Sequence, residues 1–336
     1  MTSIGLDHQL IAAATGGDAA AFSALAERHR SELQVHAYRM LGSLEDAQDA
    51  VQEALLRAWR SRGTYDGRST FRAWLYRITT NACLRMLERR PRRLVPYEEG
   101  PPAEPGARPA APADLPWLQP YPDALVDTSP QPDDAVVTRE TIELAFLAAI
   151  QHLPPRQRAV LILRDALDWP ADDTAAVLEM SVAAVNSALQ RARATMTDRL
   201  PERRLEWAAA DAEEAERSLL DAYVEAFEHH DDRRLVALLR DDVRMAMPPH
   251  PTWYDGVDAV AAFLARIAFG PGSGSHRFVP TRANRLPAFG VYRGDGADAT
   301  PFAINVVEIE SGLVKGMHFF LYPELFPAFG LPDSLR

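Results

Sequence analysis

LPPRQRAVLILRDALDWPADDTAAVLEMSVAAVNSALQRARATM, from Leu153 to Met196, is the stretch that decides the fold. Its last part places Val185, Leu189, Ala192 and Met196 at helical spacing, which predicts one buried stripe. The part that begins at Trp169 predicts a shorter helix, and Ser181 is suited to cap the second helix at its N-terminus. Two helices joined by a tight turn predict a helix-turn-helix.

The outer face of the second predicted helix carries amide and guanidinium groups. Asn and Gln side chains pair with adenine in the major groove and Arg pairs with guanine, while other arginines bind phosphate. We therefore expect the upstream DNA contacts to come from Ser181, Asn186, Ser187, Gln190, Arg191 and Arg193. An ordinary helical hairpin with a solvated face has the same pattern, so these residues alone leave both interpretations open.

The bulk composition limits what kind of protein this is. The chain has 336 residues, a formal net charge of -11 and a pI near 5.3, so DNA binding would depend on local basic patches. A single cysteine, Cys83, cannot form an internal disulfide. The N-terminus lacks the pattern of a secretory signal, and no long apolar run predicts a membrane span. These features favour a cytoplasmic protein without a membrane partner.

The sequence changes character along the chain, which predicts four segments. Helical periodicity dominates up to about Arg93, and a proline-rich acidic stretch follows. Helices resume near Val137, and β-branched and aromatic runs separated by turn residues come last. We expect domains at 1–94, 138–204 and 205–336, with a linker at 95–137. Within that linker the apolar residues Trp117, Leu118, Tyr121 and Leu125 favour docking over a free tether.

Two helical segments near the N-terminus carry further candidate contacts. In YRMLGSLEDAQDAVQEALLRAWRS, three carboxylates fall opposite the apolar stripe and predict an acidic ridge: Asp46, Asp49 and Glu53. In YDGRSTFRAWLYRITTNACLRMLERR, Tyr65 and Asn81 flank a stripe in which Trp74 is expected to be buried. Basic residues, including Arg85 and Arg89, end this second segment.

Both regions resemble the extracytoplasmic-function group of bacterial sigma factors. Leu153–Met196 is similar to promoter-reading region 4, and the two N-terminal segments are similar to region 2. The resemblance implies that the acidic ridge docks on the clamp of the largest subunit of RNA polymerase, and that region 4 meets the flap of the second largest. It also implies that Tyr65 and Asn81 hold a flipped promoter base, while Arg85 and Arg89 bind phosphate.

In this family the linker spans two promoter elements. Elements two helical turns apart are separated by roughly 70 Å, and about forty extended residues can cover that distance. The resemblance implies that the linker threads into the polymerase cleft.

The C-terminal part resembles the SnoaL-like branch of the nuclear-transport-factor-2-like (NTF2-like) fold. The resemblance rests on two stretches, LLDAYVEAFEHHDDRRLVALLRDDVRMAMPPHPTWYDGVDAVAAFL and LVKGMHFFLYPELFPAFGLP. The resemblance implies a cone of curved sheet whose interior can hold polar groups, here His250, Asp255, His276, Glu308 and His318. Neither a metal-ligand spacing nor a nucleophile elbow occurs in the sequence, so we predict no catalytic residue, no metal and no cofactor. The aromatic content leaves room for a small-molecule ligand.

Taken together, the sequence predicts a multidomain fold: two all-α sigma domains, namely the region 2 bundle and the region 4 helix-turn-helix, followed by an α+β NTF2-like cone. The predicted function is a sigma factor that binds core RNA polymerase and promoter DNA, regulated by its own last domain. One alternative is a ligand-sensing helix-turn-helix repressor, which leaves the first hundred residues without a role. The other is a cyclase or isomerase fused to a DNA-binding module, which does not explain the acidic ridge.

Overall fold

The computed structural model describes residues 3–89, 92–126, 142–199, 210–294 and 299–335. The described residues fall into two structural units. The first is drawn from 1–93 and 125–200, and the second from 94–124 and 201–336. The 94–124 stretch, which we call the interdomain segment, thus belongs to the same unit as the C-terminal domain.

The described part of the first unit is helical. Its helices are α1 (Ser3–Gly16), α2 (Ala19–Leu41), α3 (Leu44–Ser61), α4 (Phe71–Arg89), α5 (Leu144–Ile150), α6 (Pro155–Leu161, continued by a π-helical turn over Ile162–Ala166), α7 (Ala171–Leu178) and α8 (Val182–Arg199).

Local sequence signals explain where α2 and α3 begin and end. The Asp18 carboxylate accepts hydrogen bonds from the first backbone amides of α2, and Gly42 ends that helix in a left-handed conformation. Ser43 then caps α3 through the amide of Asp46. The α3 stripe of Ala47 and Val51 is fully buried, as the sequence predicted.

The helices of regions 2 and 4 pack together within this unit, although the sequence predicted separate domains. Arg158 of α6 is 2% exposed and donates to the backbone carbonyl of Met40 in α2. The rings of Tyr76 in α4 and Trp169 lie 5.0 Å apart. Nη1 and Nη2 of Arg158 donate four hydrogen bonds, to the backbone oxygens of Met40, Gln151 and Leu153 and to the Gln151 amide oxygen, whereas its Nε has no partner among the described residues. These bonds to both regions offset much of the cost of burying the guanidinium. Local periodicity could not predict this contact, because Arg158 and Met40 are more than a hundred positions apart in the chain.

The second unit contains a six-stranded sheet. Its strands are β1 (Leu239–Ala246), β2 (Trp253–Asp255), β3 (His276–Ala283), β4 (Leu286–Arg293), β5 (Thr300–Glu310) and β6 (Leu313–Phe320). The order is β2-β1-β6-β5-β4-β3, and β1 with β6 is the parallel pair among antiparallel neighbours. The helices α9 (Ala210–Glu228), α10 (Asp232–Val236) and α11 (Val257–Phe263) accompany it. This is the α+β cone that the sequence predicted.

The interdomain segment is bound to this sheet by hydrogen bonds. Ala103 N donates to Trp253 O at 2.8 Å, and Ala113 N donates to Pro249 O at 2.9 Å. Further along, Tyr121 N donates to the Asn284 side chain at 2.9 Å. Proline prevents regular structure within the segment, so some of its backbone groups pair with the domain, and others pair within the segment, as Leu118 N does with Leu94 O at 2.8 Å. In the structure the segment is therefore docked and not a free tether.

The apolar residues from which docking was predicted are covered in the structure. Trp117, Leu118 and Tyr121 are buried, and Leu125 is half-buried. No helix in the described part of the chain is both long enough and apolar enough to cross a membrane.

Candidate nucleic-acid and polymerase interfaces

The helix-turn-helix of region 4 is formed by α7 and α8. Glu179 takes a left-handed conformation, with φ 52°, and ends α7. The Ser181 hydroxyl accepts a hydrogen bond from Ala184 N at 3.2 Å, which confirms its role as the N-cap of α8. Val185 and Ala192 face inward, and α8 is thereby held with its polar side outward.

The predicted DNA face of α8 is solvent-exposed along its first three turns. Exposed side chains on it are Ser181, Asn186, Ser187, Gln190 and Arg191. Within α8 the acidic residue is Asp198, near the C-terminal end of the helix, so the amide and guanidinium groups of its first three turns are available for bases and phosphates.

Arg193 differs from the other predicted DNA contacts. Its guanidinium binds Asp165 of the π-helical turn through two hydrogen bonds, at 2.9 and 2.8 Å. The hydrogen bond and the charge of Asp165 raise the pKa of Arg193. The side chain is thus directed toward its own domain, and contact with a base requires this pair to open.

The acidic ridge of α3 is only partly as the sequence predicted. Asp49 and Glu53 are exposed, and Glu53 pairs with Arg57 of the same helix at 2.9 Å. Asp46 is instead 5% exposed and forms an ion pair with Arg93. The expectation of an exposed carboxylate at Asp46 is wrong because the chain after α4 returns over the start of α3 and covers it.

One exposed apolar residue beside the ridge was not identified from the sequence. Leu56 is 50% exposed, whereas Leu55 beside it is buried. Adjacent helical residues point about 100° apart, so two successive leucines cannot both lie in the stripe of Val51 and Leu55. The consecutive leucines Leu55 and Leu56 were therefore the feature of the sequence that could have predicted an exposed leucine here. A single exposed leucine is ordinary on a protein surface, so the significance of Leu56 depends on its position beside the exposed carboxylates Asp49 and Glu53.

The segment around Tyr65 presents one partly exposed aromatic ring. Tyr65 packs against Phe71 and Trp74, with ring centroids 5.7 and 5.6 Å away, and its hydroxyl donates to Ser69 O. Trp74 is 3% exposed and belongs to the core, as expected. Burial, followed by the charge of Asp66, raises the pKa of Tyr65.

The other predicted downstream contacts lie along α4. Asn81 and Arg85 are half-buried and Arg89 is exposed. Arg85 approaches Glu53 at 3.4 Å, a surface pair that contributes little stability. The adjoining Arg90 lies outside the described residues.

The polar residues expected inside the C-terminal cone occupy different places. His250 and His276 line a cavity of about 190 Å³ within the second unit. Asp255 is exposed and pairs with Arg244 at 3.2 Å, while His318 pairs with Glu308 at 3.1 Å. Neither of these two ion pairs is part of the cavity lining, so the structure does not bring the five residues together.

Comparison with known proteins agrees with these regions. The family model for sigma-70 region 2 matches residues 25–93, and that for sigma-70 region 4 matches residues 143–196. A solved structure, the extracytoplasmic function sigma factor SigJ of Mycobacterium tuberculosis, superposes with a TM-score of 0.58 at 24% identity. The match covers 92% of this chain and 99% of that one, and it shows that the fold is shared.

Sequence relatives point to the same family. The ECF RNA polymerase sigma factor SigM of Mycobacterium tuberculosis is 32% identical over 56% of this chain and 82% of its own length. The ECF RNA polymerase sigma factor SigG of the same species is 42% identical over 94% of this chain and 85% of its own length. Since this similarity extends through both sigma regions and the C-terminal domain, the chain belongs to the family of ECF RNA polymerase sigma factors.

Proposed function

We propose that this sigma factor contacts core RNA polymerase through the exposed face of α3 and reads the upstream promoter element with the N-terminal half of α8. The observation that carries the proposal is that each matched region has an exposed surface of its own chemistry, acidic and apolar on region 2 and rich in amides on region 4. One carries Asp49, Glu53 and Leu56, and the other carries Asn186 and Gln190.

The polymerase contact is assigned to Asp49 and Glu53, with Leu56 as an apolar anchor. Acidic side chains around an exposed leucine suit a basic partner surface, which we identify as the clamp of the largest subunit. Region 4 is assigned to the flap of the second-largest subunit, on the family resemblance. Asp46 is not part of this surface, because its carboxylate is buried against Arg93.

The downstream element is assigned to Tyr65, Asn81, Arg85 and Arg89. The half-buried ring of Tyr65 offers a stacking platform whose rear is supported by Phe71 and Trp74. Stacking of an unpaired base on an aromatic ring offsets part of the cost of flipping it.

We further propose that the C-terminal domain acts by binding and not by turnover. The ion pair of Asp255 with Arg244 and the hydrogen bond between Glu308 and His318 hold two of its candidate acids away from the cavity lining. That leaves the lining without the carboxylate that an acid-base pair would need among the described residues.

The polymerase contact is tested by charge reversal. Asp49→Arg should abolish co-purification with core polymerase and leave thermal stability unchanged, because an exposed charge acts on the partner and not on the core. Asp221→Arg, a reversal at an exposed position of α9, is the matched control and should bind like the wild type. Undiminished binding by folded Asp49→Arg protein would remove α3 from the interface.

A further inference from the structure

The cavity of the second unit is large enough for a small organic molecule. Its volume of about 190 Å³ exceeds the ~150 Å³ of an engineered apolar cavity that admits benzene. The wall is mainly aromatic and aliphatic and includes Phe227, Met247, Phe263, Val291, Phe302 and Phe319. Such a lining favours an apolar ligand body.

The polar groups of the lining favour an acidic ligand. Among the described residues these groups are His250, Ser273, His276 and Arg293, and the lining contains no carboxylate. Arg293 lies with its guanidinium 5.4 Å from the Phe302 ring, while its Nε donates to Ser273 O at 2.7 Å. The guanidinium therefore has further donors for an anion at this edge of the cavity.

His276 supplies a second polar group deeper in the wall. It is 8% exposed, and its Nδ1 has no hydrogen-bond partner among the described residues. Burial, together with the nearby His230 and Arg293, lowers the pKa of His276 to about 4. The His276 ring is consequently neutral at pH 7, and the guanidinium of Arg293 supplies a permanent positive charge in the lining.

The interdomain segment forms part of this cavity. Pro109 lines it, and the residues on either side of Pro109 are fixed to the domain. The Tyr254 hydroxyl donates to Ala107 O at 2.8 Å, and Ala110 N donates to Thr252 Oγ1 at 2.8 Å. His250, itself a lining residue, contacts Ala110 O through Nδ1 at 2.6 Å.

We propose that the cavity binds a small apolar carboxylic acid, and that the bound acid holds the interdomain segment on the C-terminal domain. The apolar body packs against the aromatic wall and the carboxylate binds Arg293. Because the ligand touches Pro109 only while the segment is docked, it binds the docked state more tightly and shifts the population toward it. This rests on the proposed function together with the entry of the linker into the polymerase cleft that the family resemblance implies, and it would control whether the segment is free to enter.

Binding is tested on the full-length protein by calorimetry with benzoate, hexanoate and the neutral benzyl alcohol. Both acids should bind, with benzoate at least about tenfold tighter than benzyl alcohol, because a charge-assisted hydrogen bond is lost in the alcohol. Arg293→Gln, at an exposed position, should remove this preference, whereas Arg277→Gln on the adjoining strand should not. If neither acid binds at millimolar concentration, or if Arg293→Gln leaves the preference intact, the site assignment is wrong.

Coupling to the segment is tested by hydrogen exchange of the peptide that contains Ala110 and Ala113. Benzoate should slow exchange there, and by reciprocity Pro109→Gly should weaken benzoate binding more than Pro105→Gly does. Pro105 is a matched control because it is an exposed proline of the same segment and is not in the lining. Unchanged exchange with benzoate bound, or equal effects of the two substitutions, would overturn the coupling. Neither readout involves polymerase, so failure here is distinguishable from failure of the proposed function.

Discussion

At the scale of single residues, Asp46 and Asp49 show that two carboxylates one helical turn apart can have opposite roles. Sequence periodicity placed both on one face of α3, but in the structure Asp49 is exposed and Asp46 is buried. Periodicity within a helix cannot predict which part of that face a distant segment covers, and here Arg93 covers Asp46. Asp49 stays exposed because it lies one turn further along.

Removing the buried pair should therefore affect stability. Asp46→Asn should destabilise the first unit by roughly 3 kcal/mol, because it removes the charge of Asp46 from beside a largely buried guanidinium. Urea unfolding should reveal the loss as a lower midpoint with an unchanged slope. An Asp46→Asn protein as stable as the wild type would show that the pair contributes nothing. Arg93→Met combined with Asp46→Asn should recover part of the loss.

Residues on α8 should separate into two classes of DNA contact. Gln190→Ala should cost about 1–3 kcal/mol of discrimination at one base pair, whereas Arg191→Ala should weaken all sequences alike and reduce the salt slope by about one. Binding titrations over a range of salt concentrations distinguish the two. Arg193→Ala is expected to change discrimination less than Gln190→Ala, because Arg193 is bound to Asp165. If Gln190→Ala keeps the wild-type promoter preference, α8 enters the groove in another orientation.

At the scale of elements, the helices were predictable and their packing was not. The caps at Ser43 and Ser181 and the stripe through Val51 follow from local residue types, which a sequence displays directly. The contact of α6 with α2 depends on Arg158, which looks in the sequence like any other surface arginine. Its burial lowers its pKa to about 10, yet it still carries its charge at neutral pH.

Arg158 should accordingly control how firmly regions 2 and 4 hold together. Arg158→Met fills similar volume but leaves Met40 O, Gln151 O and the Gln151 amide oxygen without the donor they have now. Each buried acceptor left without a donor costs about 1–3 kcal/mol. Fluorescence energy transfer between labels on α3 and α8 should report a larger separated population in this variant. Arg156→Met, at an exposed position two residues earlier in α6, is the control, and equal transfer efficiencies in the two variants would contradict the role given to Arg158.

At the scale of the whole molecule, the order of the domains was predictable. For the interdomain segment, docking was predictable, but the surface on which it docks was not. Resemblance identified regions 2 and 4 and the cone, and the apolar residues around Trp117 indicated docking. The partner of that segment could not be predicted, because proline-rich chain pairs through irregular hydrogen bonds, such as Ala113 N to Pro249 O, that leave no periodic pattern. In the structure the segment belongs with the cone, at residues 94–124.

Run-off transcription by purified core RNA polymerase on genomic templates tests directly whether this protein directs initiation, with the full-length protein compared with a chain cut after Arg204. Full-length protein should direct initiation from defined start sites that core polymerase alone does not use. The shortened chain should use the same sites with a different yield, because it keeps regions 2 and 4 and loses the domain that holds the interdomain segment. Absence of any template-specific start with folded full-length protein and active core polymerase would contradict the account.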